Sequence, residues 1–214
     1  MGAKVSFVTP SAGVVDKRRL PPGGPVGGAE RRLDIHVLGQ EDGHVETGRA
    51  WERSVWRDQR VLIAECPAPR LSARMEATLR DVASCIAVDR GWLGLGTAVF
   101  ALDDQSGQFR LIEATLQGRR GKAALMEPMA AHALEVGIGA CAASGRPGTS
   151  LLVWGSTRGE ALRRAYQAIG DMPGLAVPER AFLLNRIASP AFCSGLTGMR
   201  LARIADWSDH RAAS

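Results

Sequence analysis

Phe192-Cys193-Ser194-Gly195-Leu196 places a thiol where an apolar, proline-containing stretch meets the start of a predicted helix. A cysteine there sits at the positive end of the aligned peptide dipoles, beside unpaired N–H groups, and both favour the thiolate. That is a nucleophile's position and points to acyl transfer, with Cys193 attacking and His132 or His36 brought beside it as the base. Only 21 residues follow Cys193, which leaves open whether this chain holds the base and the oxyanion donors at all. The competing reading is a buried structural thiol. Cys141, in Gly139-Ala140-Cys141-Ala142-Ala143-Ser144-Gly145, falls in the last turn of a predicted helix, where the dipole raises a thiol's pKa, and it reads as core.

A second candidate is Gly155-Ser156-Thr157-Arg158-Gly159, where two glycines allow a tight strand-to-helix turn. Gly155, Ser156, Thr157 and Gly159, with the first helical N–H groups, form a candidate anion site. No lysine follows the second glycine, so the segment is not a P-loop, and the serine is one place too early for an esterase elbow. The competing reading is a tight turn with a helix cap. Gly91 to Gly96 precedes a strand instead of opening a helix, the wrong side for a dinucleotide fingerprint; its glycines suit a turn or a close backbone crossing. The histidines, His36, His44, His132 and His210, are isolated from one another, and no carboxylate stands at helical spacing to orient them. Trp51 and Trp56, with Arg49, Arg53 and Arg57, form either a docking surface or a solvated helix face.

The elements that must position these groups begin after a segment that cannot pack. Pro10 to Glu30 holds Pro21-Pro22-Gly23-Gly24-Pro25, so residues 1–30 read as a flexible Pro/Gly-rich segment, with a short strand over Val5 to Val8, and 31–214 as a single domain. Leu33 to Leu38 alternates as a half-buried strand does, and a turn at Glu41-Asp42-Gly43 ends it. Arg60 to Cys66 is a second strand stopped by Pro67 and Pro69; Ser72 then caps a helix running through Ile86. Thr97 to Leu102 and Phe109 to Leu116 flank a polar loop as a hairpin. The spacing of Leu125, Met129, Ala133, Val136 and Ala140 predicts a helix over Lys122 to Ala143. Thr149 to Trp154 is continuously apolar, which predicts a strand buried on both faces, and a helix follows from Glu160 to Ile169. A last helix is predicted over Ser194 to Ala205. This order implies an α/β fold, a layered mixed sheet covered by helices.

Composition narrows the classes. The 27 basic and 22 acidic residues give a net charge of +5 without like-charge blocks, and only 5% of residues are aromatic, so nucleic acid is not the expected partner. The four cysteines form no C-x-x-C pair and have no histidine at ligand spacing, so neither a metal site nor a cofactor is expected. No secretory signal and no 18-residue apolar run is visible, which predicts a cytoplasmic protein without a membrane partner.

From Ala123 to Ala202 the order of features resembles the N-terminal half of the β-ketoacyl synthase and thiolase family. Its helix pattern A-x-x-A-L-x-x-A-G is similar to Met129 to Gly145, its strand and Gly-Ser turn to Leu151 to Gly159, and its nucleophile pattern C-x-S-G-L to Cys193-Ser194-Gly195-Leu196. The stretch just upstream of that nucleophile, P-x-x-F-x5-N-x-x-A-x3-A, offers an alternative alignment with Pro178 to Leu201. The resemblance implies a thiolase-like half-domain, too short for the family's second catalytic half of about 150 to 200 residues. It implies a non-catalytic accessory protein, homodimeric or paired with a full-length thiolase-like protein. Relatives of that kind occur in gene clusters for type VI secretion. The alternative it implies is a Cys193-dependent acyltransferase.

Overall fold

A computed structural model describes residues 30–57, 60–118, 132–138 and 149–196. These residues form one seven-stranded sheet in the order β5-β4-β1-β2-β3-β6-β7. Its strands are β1 (Glu30–Gly39), β2 (Val45–Arg57), β3 (Arg60–Cys66), β4 (Gly94–Asp103), β5 (Phe109–Gly118), β6 (His132–Ile138) and β7 (Thr149–Gly155). Every neighbouring pair is antiparallel. Helix α1 (Ala73–Asp89) joins β3 to β4, and α2 (Arg158–Gly170), α3 (Val177–Ala188) and the single turn α4 (Pro190–Cys193) follow β7.

The sequence rules that rest on local chemistry hold. Ser72 caps α1 by accepting a hydrogen bond from the Met75 N–H, and β3 has the predicted bounds. Asp103 organises the β4–β5 loop through the Gln105 N–H and the Ser106 hydroxyl. Gly96 is needed for space: a Cβ there would lie 2.3 Å from the Trp92 ring, which closes the end of the first core.

That core sets α1 (Leu79, Ala83, Ala87) on Leu33, Ile35 and Val37 of β1 and on Ala98, Phe100 and Leu102 of β4. A second core sets α2 and α3 (Leu162, Ala165, Ile169, Leu183, Ile187) with Phe192 on Ile63, Leu134, Val136 and Val153. Burying each valine, leucine, isoleucine or phenylalanine among them contributes roughly 1.5–3 kcal/mol before the entropy of ordering it is subtracted.

Three expectations are corrected here. The sheet is antiparallel throughout its described strands, not the layered mixed sheet of a thiolase-like half-domain. Within the predicted helix 122–143, residues 132–138 are β6, bonded to β3 and β7, and the remainder lies outside the described residues. Ala133 and Val136 fit the helical spacing while Leu134 and Val136 fit a period of two, and strand partners on both sides decide between them. β7 is an edge strand with Trp154 46% exposed, not one buried on both faces. Cys141, His210, the Val5 to Val8 strand and residues 1–29 lie outside the described residues, as does most of the predicted helix from Ser194.

The turn from β7 into α2 depends on Gly155, where a Cβ would stand 2.4 Å from the Ala161 backbone nitrogen. Gly155→Ala is therefore expected to destabilise the chain by about 2 kcal/mol or more, because backbone must move to relieve the clash. The check is urea unfolding of the variant beside wild type; equal midpoints would show that the turn is not close-packed.

Candidate functional site

Strand alternation and register divide the sheet into two unlike faces. Leu33, Ile35 and Phe100 point to the helices, and the intervening residues point away. Register places Trp51 opposite Asp34, Asp34 opposite Val99 and Val99 opposite Glu113, making one row across four strands. The next row sets His36 opposite Thr97 and Thr97 opposite Thr115. On the face away from the helices the sheet thus presents acids, arginines, a histidine and threonines.

Asp34 is buried, with Arg53 Nε 2.8 Å from one carboxylate oxygen and Arg32 Nε 3.6 Å from the other. Burial pushes its pKa up, and Arg53 and Arg32 only partly offset that. Arg53 also reaches Glu135 at 3.7 Å and lies 6.0 Å from the centre of the Trp51 ring. His36 shares a hydrogen bond of 3.0 Å with Thr97 through Nδ1, and its Nε2 is buried without a hydrogen-bond partner. The Thr115 hydroxyl donates to Glu113 at 2.7 Å at the exposed end of the face.

The sequence-named candidates lie elsewhere. Cys193 ends α4, capped by Ser194, and does not open a helix. Its thiol donates to the Ile187 carbonyl at 3.3 Å. His132 opens β6 and lines the same cavity as Cys193, but its Nδ1 has no hydrogen-bond partner. Burial, then Arg158 and Arg49, lower the His132 pKa. His36 is on the other face, with Trp51 as its aromatic neighbour at 6.3 Å. At the β7–α2 turn, Thr157 accepts from the Glu160 N–H, while the Glu160 carboxylate takes both the N–H and the hydroxyl of Ser156. The protein's own carboxylate therefore holds the two donors of Ser156. Trp51 and Arg53 belong to a strand, not to a helix face. No helix of the described residues is long and apolar enough to cross a membrane.

A seven-stranded antiparallel sheet with helices on one face and a charged opposite face can be compared with known proteins. Residues 29–124, which supply most of the polar rows, match the family model described as carbamoyl-phosphate synthase L chain, ATP binding domain. Among curated proteins, the chain is 31% identical over 83 residues to the chloroplastic biotin carboxylase of Arabidopsis thaliana. That match covers 39% of this chain and 15% of the relative. The α subunit of the mitochondrial methylcrotonoyl-CoA carboxylase of the same plant is 31% identical over 83 residues, 11% of its length. Among solved structures, the multifunctional pyruvate carboxylase of Rhizobium etli superposes with a TM-score of 0.67 at 16% identity, over 83% of this chain and 25% of that one. The biotin carboxylase domain of a thermophilic 2-oxoglutarate carboxylase gives 0.67 at 14%, over 84% and 54%.

The fold is that of the biotin carboxylases. It is an ATP-grasp fold, not a thiolase or β-ketoacyl synthase one, and the chain spans only a small part of the curated relatives it matches. The thiolase-like accessory function, the thiolase-like partner, the link to type VI secretion and the Cys193-dependent acyltransferase fall with that resemblance. Of the stretches that carried it, Leu151 to Gly155 lies in the antiparallel strand β7 and Cys193 ends α4.

An ATP-binding domain implies a metal–nucleotide, which needs one or two free carboxylates beside the phosphates. The buried carboxylates among the described residues do not fit that requirement. The described residues hold no group of three or more His, Cys, Asp or Glu side chains able to hold a metal ion. Asp34 and Glu113 stand two strands apart with Val99 between them. Asp34 is held by two arginines, Glu52 by Arg31 and Glu65 by Arg158.

His36 makes this face sensitive to acid. Burial, with Arg53 nearby, lowers its pKa from 6.5 to about 4. In that window the unfolded chain binds a proton that the folded chain refuses. The neutral imidazole's contribution is therefore intact above pH 6.5 and lost as pH falls towards 4, by about 3 kcal/mol in all. Denaturation free energies measured from pH 7 to 4 are expected to fall more steeply for wild type than for His36→Gln. Parallel curves would mean that the imidazole protonates freely in the folded state.

Proposed function

We propose that this chain is a carboxylase-type ATP-grasp module that works inside a larger carboxylase assembly and is not a self-sufficient catalyst. In this reading it lends the assembly a helix-backed antiparallel sheet, and the metal–nucleotide chemistry of ATP-dependent carboxylation is completed by other parts of that assembly. One observation carries the reading: on a fold shared with biotin carboxylases, the buried carboxylates Asp34, Glu52 and Glu65 are each committed to an arginine. A carboxylate so held is a poor metal ligand, because freeing it leaves a buried guanidinium uncompensated, at a cost of about 3–5 kcal/mol.

The relatives support the class of reaction. They are named as biotin carboxylases and as a carboxylase subunit, and the structural neighbours include a multifunctional pyruvate carboxylase. A place within a larger protein or complex is in keeping with matches that cover 15% and 11% of those relatives.

The test is direct. The full chain, given ATP, magnesium, bicarbonate and free biotin, is expected to release no more phosphate than the same mixture without bicarbonate. Calorimetric titration with ATP is expected to give the same result in magnesium as in EDTA. Bicarbonate-dependent phosphate release by the chain alone would overturn the proposal.

A further inference from the structure

Between the loop Pro67–Leu71, the start of β6 and the end of α4 lies an open cavity of about 320 Å³, among whose lining residues are Arg49, Arg70, Arg158, His132, Pro67 and Leu71. Two of its three arginines are already matched. Arg49 makes a two-pronged contact with Glu76 at 3.1 and 3.0 Å. Arg158 is bound to Glu65 and donates to the carbonyls of Cys193 and Phe192 at 2.6 and 2.7 Å. Arg70 is exposed and has no ion-pair or hydrogen-bond partner among the described residues. The cavity therefore carries one uncompensated positive charge.

That charge is held in place. Arg70 adopts φ +56°, the left-handed region, which costs a residue with a side chain on the order of 1 kcal/mol and persists only where its surroundings enforce it. Its aliphatic stem lies over Gly195, where a Cβ would come within 3.2 Å of Arg70 Cγ and of Pro69 Cβ. The stem is packed while the guanidinium is left unused. His132 adds a buried Nδ1 without a hydrogen-bond partner in the same wall, and Pro67 and Leu71 add apolar surface.

We propose that this cavity binds a small organic anion, a carboxylate or phosphomonoester head on a compact apolar body, with Arg70 taking the oxyanion and His132 Nδ1 a hydrogen bond to the head. An arginine fork suits either head, and the volume is at the lower end of small-molecule sites.

The full chain would be titrated calorimetrically with benzoate and with phenyl phosphate at constant ionic strength, and with benzyl alcohol as the uncharged control. At least one anion is expected to saturate with a Kd of about 1 mM or tighter, and which one does so identifies the head group. Arg70→Gly removes the guanidinium while suiting the left-handed backbone, and is expected to weaken binding about tenfold or more. Arg70→Lys, which keeps the charge but not the fork, is expected to fall between the two. Failure of both anions to saturate, wild-type affinity in a folded Arg70→Gly chain, or equal binding of benzyl alcohol would each overturn the proposal.

Discussion

Arg158 fastens the last turn of the described chain to the sheet. Placed at the start of α2, it binds the buried carboxylate of Glu65 on β3, donates to the carbonyls of Phe192 and Cys193, and lies 5.3 Å from the centre of the Phe192 ring. One guanidinium thereby joins the middle of the sheet, the first helix after it and the last turn of the described residues. Desolvation raises the Glu65 pKa, and Arg158 and, at longer range, Arg31 offset part of that rise. Removing either partner would leave a buried charge alone, so the arrangement specifies where α2 and α4 sit more than it adds net stability.

The same logic runs through the centre of the sheet. Glu52 is matched by Arg31, which also donates to the Pro69 carbonyl at 2.7 Å and so ties β1 to the loop after β3. Asp34 is matched from two sides by Arg32 and Arg53. A sheet with acids on buried rows needs these cations simply to fold, and cations used this way are not available to a nucleotide's phosphates. Fold and chemistry therefore separate: the backbone is shared with biotin carboxylases, while activity depends on which side chains on that backbone remain unengaged.

Much of the fold was legible one segment at a time. The alternation of Leu33, Ile35 and Val37, the proline stop after Cys66, the Ser72 cap and the Asp103 to Gly107 loop are local signals, set by side-chain chemistry within a few residues. The 132–138 strand was not legible, because Ala133 and Val136 fit a helical spacing as readily as Leu134 and Val136 fit a strand's, and only pairing with β3 and β7 excludes the helix. Cys193 was misplaced for a related reason. Ser189 caps α4 and Gly195, at φ +83°, follows it, so the helical turn ends at the cysteine rather than starting there. The polar face could be glimpsed in the strand alternation, with Asp34 and His36 opposite Leu33 and Ile35, but reading it as a face required knowing which strands lie beside β1.

The sequence alone determined where chain segments begin and stop, since caps, turns and alternation act over one or two turns of backbone. It also determined that four dispersed cysteines and four isolated histidines make no local metal motif. Only the tertiary structure decided which charges meet. Arg31 and Glu52 are 21 residues apart, and Glu65 and Arg158 are 93 apart. Such pairs form because burial makes an unmatched charge intolerable, and that constraint exists only once the sheet has brought distant strands together.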